Sequence, residues 1–544
     1  MNVMRNLAAA TLAILCVSSA LGDEASDRSA CEVLTATPNL TITAAAIVPA
    51  SDSAPAYCHA KGIISPAISW HVQLPLPANW NGRFLKWGDG GKDGDLDFAD
   101  HRVAEGYAVA NSNMGHDSGS EPGASFAFNN RQAEIDFGYR AVHLTVNAAK
   151  SLIARYYGEA PQYSYFEGCS TGGREGLMEA QRYPGDFDGI VAGAPVFLYQ
   201  ELNAGHVWLL QRVFRNGFAG NLAHDSDGDG SFDSLSKLDI LADTVMAKCD
   251  VLDGIEDGVI DDPLSCGFDP DIDLAPLMCP VGRDGENCFT AAQLQTVKDY
   301  YSGPYDSGGV SIIKGRAPGS ERAWTQFIPH AGNANFPGML RGAAGGHIEN
   351  LFYEQDPGVP VADPTDLSRA PDRSANPPEY AWWEFDIDDV TAGRADFMKA
   401  ITNADDPDLR RFLVEGGGKL ILWHGWADAG APPEPTLNYH EEAVAATFGG
   451  DLHEAGAHAR LFMFPGMGHC GGGAGPNRWD ALAPLVNWVE NGEAPDDVVA
   501  RRETDGRVDN ERRVCAHPGR ASYTGPDGGQ NDPQNWVQAN FACR

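Results

Sequence analysis

An α/β architecture, a mainly parallel sheet covered by helices on both faces, is expected for this chain, and three observations carry the expectation. Between about Trp70 and Gly193, apolar strand-like runs alternate with helical stretches. The same grammar returns in "GGKLILWHGWAD" (417–428) and "ARLFMFPGMGHC" (459–470). Ser170 stands in Gly168-Cys169-Ser170-Thr171-Gly172, straight after the short apolar run "YSYF". Such alternation reads as strands joined by crossover helices. The G-x-S-x-G spacing fits the sharp strand-to-helix turn that lifts a serine hydroxyl above the sheet of an α/β-hydrolase.

The first 22 residues hold one Arg, an apolar stretch from Leu7 to about Leu21, and small Ala20 and Gly22 before an acidic start. They read as a secretory signal peptide with cleavage expected after Gly22. Cys16 lies inside it, but Leu15 is not the small residue that a lipid-attachment site calls for. No later stretch approaches the roughly 18 to 20 apolar residues that a membrane helix needs. A soluble, secreted or periplasmic mature chain without a membrane anchor is expected.

Residues 23–201 form the expected first part of the core, with strands in "WHVQLPLP", "RFLKW", "YAVANSN", "YSYF" and "GIVAGAP". The longest helix candidate, 131–157, places Ile135, Val142, Leu144, Ala148, Leu152 and Ile153 near one face. Between 202 and 395 the chain turns rich in Gly, Pro and Asp, with few strand signals, and reads as a large inserted lid domain. Residues 396–544 return to the core. A chain of 544 residues exceeds what one hydrophobic core normally fills.

The formal charge of −36 speaks against nucleic acids or anionic membranes as partners, both of which need clustered Lys and Arg. Its simplest meaning is solubility. Of the 11 cysteines, ten remain when Cys16 is set aside. An even number in an exported chain favours disulfides over zinc, and no H-E-x-x-H occurs.

A serine hydroxyl becomes a nucleophile only when a positioned base removes its proton, so the elbow calls for a His and an orienting carboxylate. Asp428 follows the strand "KLILW" and His469 follows "LFMF", which gives the order Ser, Asp, His at successive strand ends. Taken singly, the glycine pattern occurs by chance in Gly-rich chains, Asp428 could be a turn residue with Asp451 or Asp480 in its role, and His469 could simply be packed. Their joint placement favours Ser170, Asp428 and His469 as a triad. Oxyanion donors are expected from the Thr171 backbone N–H and from Gly90 or Gly91 in "KWGDGGKDG" (86–94). Cys169 precedes the serine and Cys470 follows the histidine, so a Cys169–Cys470 disulfide would tie nucleophile to base if their Cα atoms fall within about 7 Å.

These motifs converge on a family. "FEGCSTGGREGLMEAQRYPGDFDGIVAGAPV" resembles the nucleophile segment of the tannase and feruloyl esterase family of secreted α/β-hydrolases, which also includes mono(2-hydroxyethyl) terephthalate hydrolase. "KLILWHGWADAGAPPEPTLNYHEEA" resembles its acid segment and "MFPGMGHCGGGAGPNRWDALAPLVNWVENGEAPD" its histidine segment. "CFTAAQLQTVKDYYSGPYDSGG" with "APGSERAW" resembles its lid. The resemblance covers nearly the whole mature chain. It supports Cys169 with Cys470 and implies Cys31 with Cys58, Cys249 with Cys266, Cys279 with Cys288, and Cys515 with Cys543.

The resemblance also implies a structural calcium in "CDVLDGIEDGVIDD" (249–262), held by the Asp250, Asp253 and Asp257 side chains and the Ile255 and Val259 carbonyls; read alone, the run would be a solvated acidic loop. "DSDGDGSFDSLS" (225–236) opens like an EF-hand with Asp225, Asp227, Asp229 and Asp233, a candidate second calcium loop, but ends on Ser236 where a bidentate Glu is expected. No organic cofactor is implied.

The expected activity is hydrolysis of small aromatic esters, feruloyl or galloyl, through an acyl-enzyme. Trp324, Phe336, Phe352, Tyr353, Trp382 and Trp383 of the lid are candidates to stack on the acid, although such residues are usually core. A terephthalate half-ester or other aryl ester is the alternative substrate, and transfer to another alcohol uses the same intermediate. A calcium-stabilised binding protein on a vestigial hydrolase fold is the alternative of another class. It would have no reason to keep the triad in order.

Overall fold

The structure is a computed structural model describing residues 26–331, 345–363, 366 and 369–544. The signal segment with Cys16, and Phe336 of the lid, lie outside the described residues. The chain divides into two compact units.

The first unit takes the described residues up to Trp87, with Asp93–Asp117 and Arg140–Phe166. Its strands are β1 (Thr41–Val48), β2 (Tyr57–Ile64), β3 (Ile68–Pro75), β4 (Arg83–Trp87), β5 (Ala108–Ser112) and the start of β6 (Tyr163–Cys169), in the order β1-β2-β3-β5-β4-β6. β1, β2, β3 and β5 pair antiparallel in turn, whereas β4 and β5 are parallel. The helix α1 (Ala141–Tyr157) packs on β3 and β5.

The helix expected over 131–157 is interrupted by a π-turn at Asp136–Arg140. One extra residue per turn rotates everything before it out of phase. Ile135, before it, is accordingly only half-buried; after it, Val146 and Ala149 join Val142, Ala148, Leu152 and Ile153 in the core, and Leu144 lies half-buried at the edge of that face.

The second unit takes Gly88–Lys92, Ser118–Tyr139 and the chain from Glu167 onward. After the end of β6 its sheet continues through β7 (Gly189–Gly193), β8 (Lys419–Gly425) and β9 (Ala459–Phe464). These three are parallel, with Leu420 level with Ile190 on one side and Ala459 on the other. β7 is wholly buried and β8 nearly so, as strands covered on both faces must be. The helices α2 (Thr171–Arg182), α3 (Tyr199–Phe218) and α4 (Glu434–Phe448) belong to this unit. A separate hydrophobic cluster draws on residues from 204 to 395 together with Ala429. A hairpin of β10 (Asp497–Thr504) and β11 (Arg507–Cys515) lies near the C-terminus.

Candidate active site

β6 delivers its C-terminal end to Ser170, whose backbone turns through φ 63° before α2 begins at Thr171. A non-glycine residue adopts that geometry only when its surroundings hold it. Here the Ser170 N–H donates to the Gly193 carbonyl at 2.9 Å, and the Ser170 carbonyl accepts from Arg174 at 3.0 Å and Val196 at 3.3 Å.

The loop 88–92 lies against this elbow. The Gly172 N–H donates to the Asp89 carbonyl at 2.8 Å, and a Cβ on Gly172 would sit 2.7 Å from that same oxygen, so only glycine allows the approach. Thr171 Oγ1 donates to the Gly91 carbonyl at 2.6 Å. Side chains at Gly90 or Gly91 would meet nothing within 4 Å. The Thr171 hydroxyl bond to Gly91 thus brings the three candidate oxyanion residues, Thr171, Gly90 and Gly91, onto adjoining segments.

The structure brings Ser170, Asp428 and His469 together. His469 Nε2 lies 2.8 Å from Ser170 Oγ, and His469 Nδ1 lies 2.6 Å from Asp428 Oδ2. Asp428 is fully buried, while a third of the His469 side chain is exposed. Burial alone would raise the Asp428 pKa, but His469 and His424 hold it well below the usual carboxylate range. Burial lowers the His469 pKa, and the Asp428 charge and hydrogen bond outweigh that, leaving it above 6.5. Asp428 Oδ1 accepts from the N–H groups of Gly430 and Ala431, each at 2.8 Å. β8 passes so close to the histidine loop that a Cβ on Gly425 would stand 2.3 Å from the Met467 carbonyl.

Two buried residues complete this frame, and the sequence reading missed both. His424 Nε2 faces Asp428 Oδ2 at 3.1 Å and the Ala431 carbonyl at 3.0 Å, so it carries the proton, and Nδ1 accepts from Thr436 Oγ1 at 2.8 Å. Its signal was the His-x-x-x-Asp spacing at the end of β8. Arg174, one helical turn after Ser170, donates to the carbonyls of Phe137 and Gly138 at 3.1 and 2.9 Å. It thereby anchors α2 to the π-turn.

Cys169 and Cys470 are joined, with Cα atoms 6.0 Å apart across 301 residues of chain. Cys31–Cys58, Cys249–Cys266, Cys279–Cys288 and Cys515–Cys543 are joined as well.

Residues 54–539 match the family model described as tannase and feruloyl esterase. The chain belongs to the tannase and feruloyl esterase family. It is 32% identical to the mono(2-hydroxyethyl) terephthalate hydrolase of Piscinibacter sakaiensis, over 92% of this chain and 86% of that one. It is 31% identical to the probable feruloyl esterase B-2 of Aspergillus terreus, over 85% and 81%. Feruloyl esterase B from Aspergillus oryzae shares the fold at a TM-score of 0.76, with 24% identity over 95% of this chain and 100% of that one. The tannin acyl hydrolase of Aspergillus niger does so at 0.69, with 20% identity over 94% of each chain. As a member of this family the chain is a carboxylic ester hydrolase with an α/β-hydrolase core.

In this esterase, Trp324, Phe352 and Trp382 are buried within the 204–395 cluster, and Tyr353 and Trp383 pack partly buried against it. Among the described residues, no helix is long and apolar enough to cross a membrane.

The acidic loops differ in kind. In the first, Asp250 accepts from the N–H groups of Gly258 and Val259 at 3.1 and 3.3 Å, and Asp253 Oδ1 accepts from Ile255 at 2.8 Å. Arg512 of β11 pairs with Asp257 Oδ2 at 2.6 Å and with Asp261. Asp253 Oδ2 and Asp257 Oδ1 are buried with no hydrogen-bond partner among the described residues. Two such oxygens in a curled acidic loop are what a hard divalent cation would engage, but Arg512 Nη1 already stands 4.0 Å from Asp253 Oδ2, and Asp250, Asp253 and Asp257 are not among the described carboxylate groups that come within 4.8 Å of one another. In the second loop the carboxylates of exposed Asp227 and Asp229 and of half-buried Asp225 come within 4.8 Å of one another. Asp233 instead accepts from Ser226, and Ser236 donates to the Glu286 carbonyl.

Proposed function

We propose that this esterase is exported and hydrolyses esters of hydroxylated aromatic acids, of the feruloyl or galloyl type, through an acyl-enzyme on Ser170. The observation that carries the reading is the unbroken hydrogen-bonded line from Ser170 Oγ through His469 to buried Asp428. His469 Nε2 takes the Ser170 proton as Oγ attacks the ester carbonyl, and Asp428 holds the Nδ1–H tautomer. The developing oxyanion points to the Thr171 N–H and the loop of Gly90 and Gly91. His469 returns the proton to the leaving alcohol, and water releases the acid by the same route.

Export is supported by the apolar leader and five disulfides. The named activities of the relatives favour two acyl groups, ferulate and the terephthalate half-ester. The deciding experiment compares kcat/KM of the oxidised mature protein on methyl ferulate, methyl gallate, the terephthalate half-ester and a short p-nitrophenyl ester. Preference for either hydroxylated acid supports the reading; preference for the half-ester replaces it with the second.

The reading includes a structural calcium at Asp250, Asp253 and Asp257, with the Ile255 and Val259 carbonyls. Dialysis against a chelator is expected to lower the unfolding temperature and calcium to restore it. A hundredfold excess of ion over its Kd stabilises by about 2.7 kcal/mol. An unchanged melting curve would remove calcium from the account.

A further inference from the structure

Beside the triad, two buried side chains each keep one hydrogen-bonding atom that the chemistry above does not use. His206 of α3 is 8% exposed; its Nε2 bonds the Gly430 carbonyl at 2.8 Å, and its Nδ1 has no partner among the described residues. Arg316 is 3% exposed; its Nε donates to the Ala429 carbonyl at 3.1 Å, and its buried Nη2 likewise has no partner. The two are neighbours. They grip consecutive carbonyls, and both rest on Phe327, with the His206 ring 4.8 Å and the Arg316 Cζ 5.0 Å from its centroid.

Burial, with the Arg316 charge beside it, pushes the His206 pKa down to about 3, so the ring is neutral. Because Nε2 is the donor to Gly430, Nδ1 is an acceptor. The pair therefore presents one unmet acceptor and one unmet donor. Leaving both unsatisfied in a buried place is costly.

The place is next to the reacting groups. A Cβ on Gly430 would stand 3.3 Å from Asp428 Oδ1 and 3.5 Å from His469 Cγ, so the peptide that His206 holds lies against the catalytic histidine. At the other end of the same helix face, Lys92, next to Gly91, donates to Tyr199 Oη at 2.9 Å and Asn203 Oδ1 at 3.4 Å. Tyr199, Asn203 and His206 share one face of α3 at helical spacing. That face runs about 10 Å from the loop of Lys92 to the acid loop, and its three side chains are buried.

We propose that His206 Nδ1 and Arg316 Nη2 form a hydroxyl-recognition subsite at the acid-loop end of this wall, binding a phenolic hydroxyl on the acyl ring of the substrate. The inference rests on the aromatic-ester function proposed above and specifies it. A hydroxyl is the group that can donate to Nδ1 and accept from Nη2 through one atom. A carboxylate or methoxy oxygen satisfies Arg316 but turns a lone pair on Nδ1. The subsite therefore selects hydroxylated acids over the terephthalate half-ester.

The test compares kcat/KM on methyl ferulate and methyl 3,4-dimethoxycinnamate, with p-nitrophenyl acetate as a reference lacking the acyl ring. The wild type is expected to prefer the phenol by at least about tenfold, since a site built around a hydroxyl discriminates strongly against its absence. His206→Gln can return a donor to Gly430 but no acceptor at the Nδ1 position, and its ratio should fall towards one. His206→Asn keeps an acceptor near Nδ1 and loses the bond to Gly430. It should retain the preference while kcat drops on both esters. A wild-type ratio near one, or a ratio that His206→Gln leaves intact, overturns the inference in favour of an ordered water between the two groups. Turnover of p-nitrophenyl acetate alone would overturn the aromatic-acyl reading itself.

Discussion

Ser170→Ala should lower kcat/KM on the best ester by about five to six orders of magnitude, leaving only what the oxyanion donors and binding supply over water. No neighbour can take over the attack. The Thr171 hydroxyl is committed to the Gly91 carbonyl, and Cys169 is held in its disulfide with Cys470. Since the serine and histidine act as one unit, His469→Ala should cost about as much, and the double variant little more. The direct readout is the pre-steady-state burst of p-nitrophenol, which should vanish in Ser170→Ala while circular dichroism stays native. A variant that keeps more than a few per cent of the activity, or keeps its burst, would place the nucleophile elsewhere.

What the sequence disclosed and what it hid follow from the range of the interactions. The elbow, Asp428 and His469 each sit at the end of a short apolar strand, so a local pattern marks their place. β1 and β2 escape the sequence reading because β1 buries only Ala45 and its short apolar run is mostly alanine, while exposed Lys61 and Ile63 interrupt the buried positions of β2. The π-turn at 136–140 was invisible for a different reason. Helical periodicity runs straight through it, and its freed carbonyls are met by Arg174, remote in sequence. His206, Arg316 and His424 are buried polar groups whose partners lie on other elements, and composition says nothing about such pairings. Trp324 and Trp382 show the converse: an aromatic residue in a lid segment is no more legible as pocket than as core until its neighbours are known.

Asp428→Asn should reduce kcat by about four orders of magnitude with the fold intact, and the cause is a choice of tautomer. Asp428 Oδ1 accepts two backbone N–H groups, from Gly430 and Ala431. Those donors hold the asparagine oxygen on their side and turn its amide nitrogen towards His469 Nδ1 and His424 Nε2. Facing a donor, His469 can only accept at Nδ1, so its proton moves to Nε2, where it points at Ser170 instead of receiving from it. The pH profile separates this from simple unfolding. In the wild type the pKa of His469 lies above 6.5 because the Asp428 charge favours the imidazolium. The acid limb of kcat/KM, which rises as His469 loses its proton, should therefore have its midpoint above 6.5. With the charge removed the imidazolium is less favoured, so the limb should shift to lower pH even as the plateau falls. A variant whose plateau falls while the limb stays in place would show that Asp428 orients the ring without setting its charge.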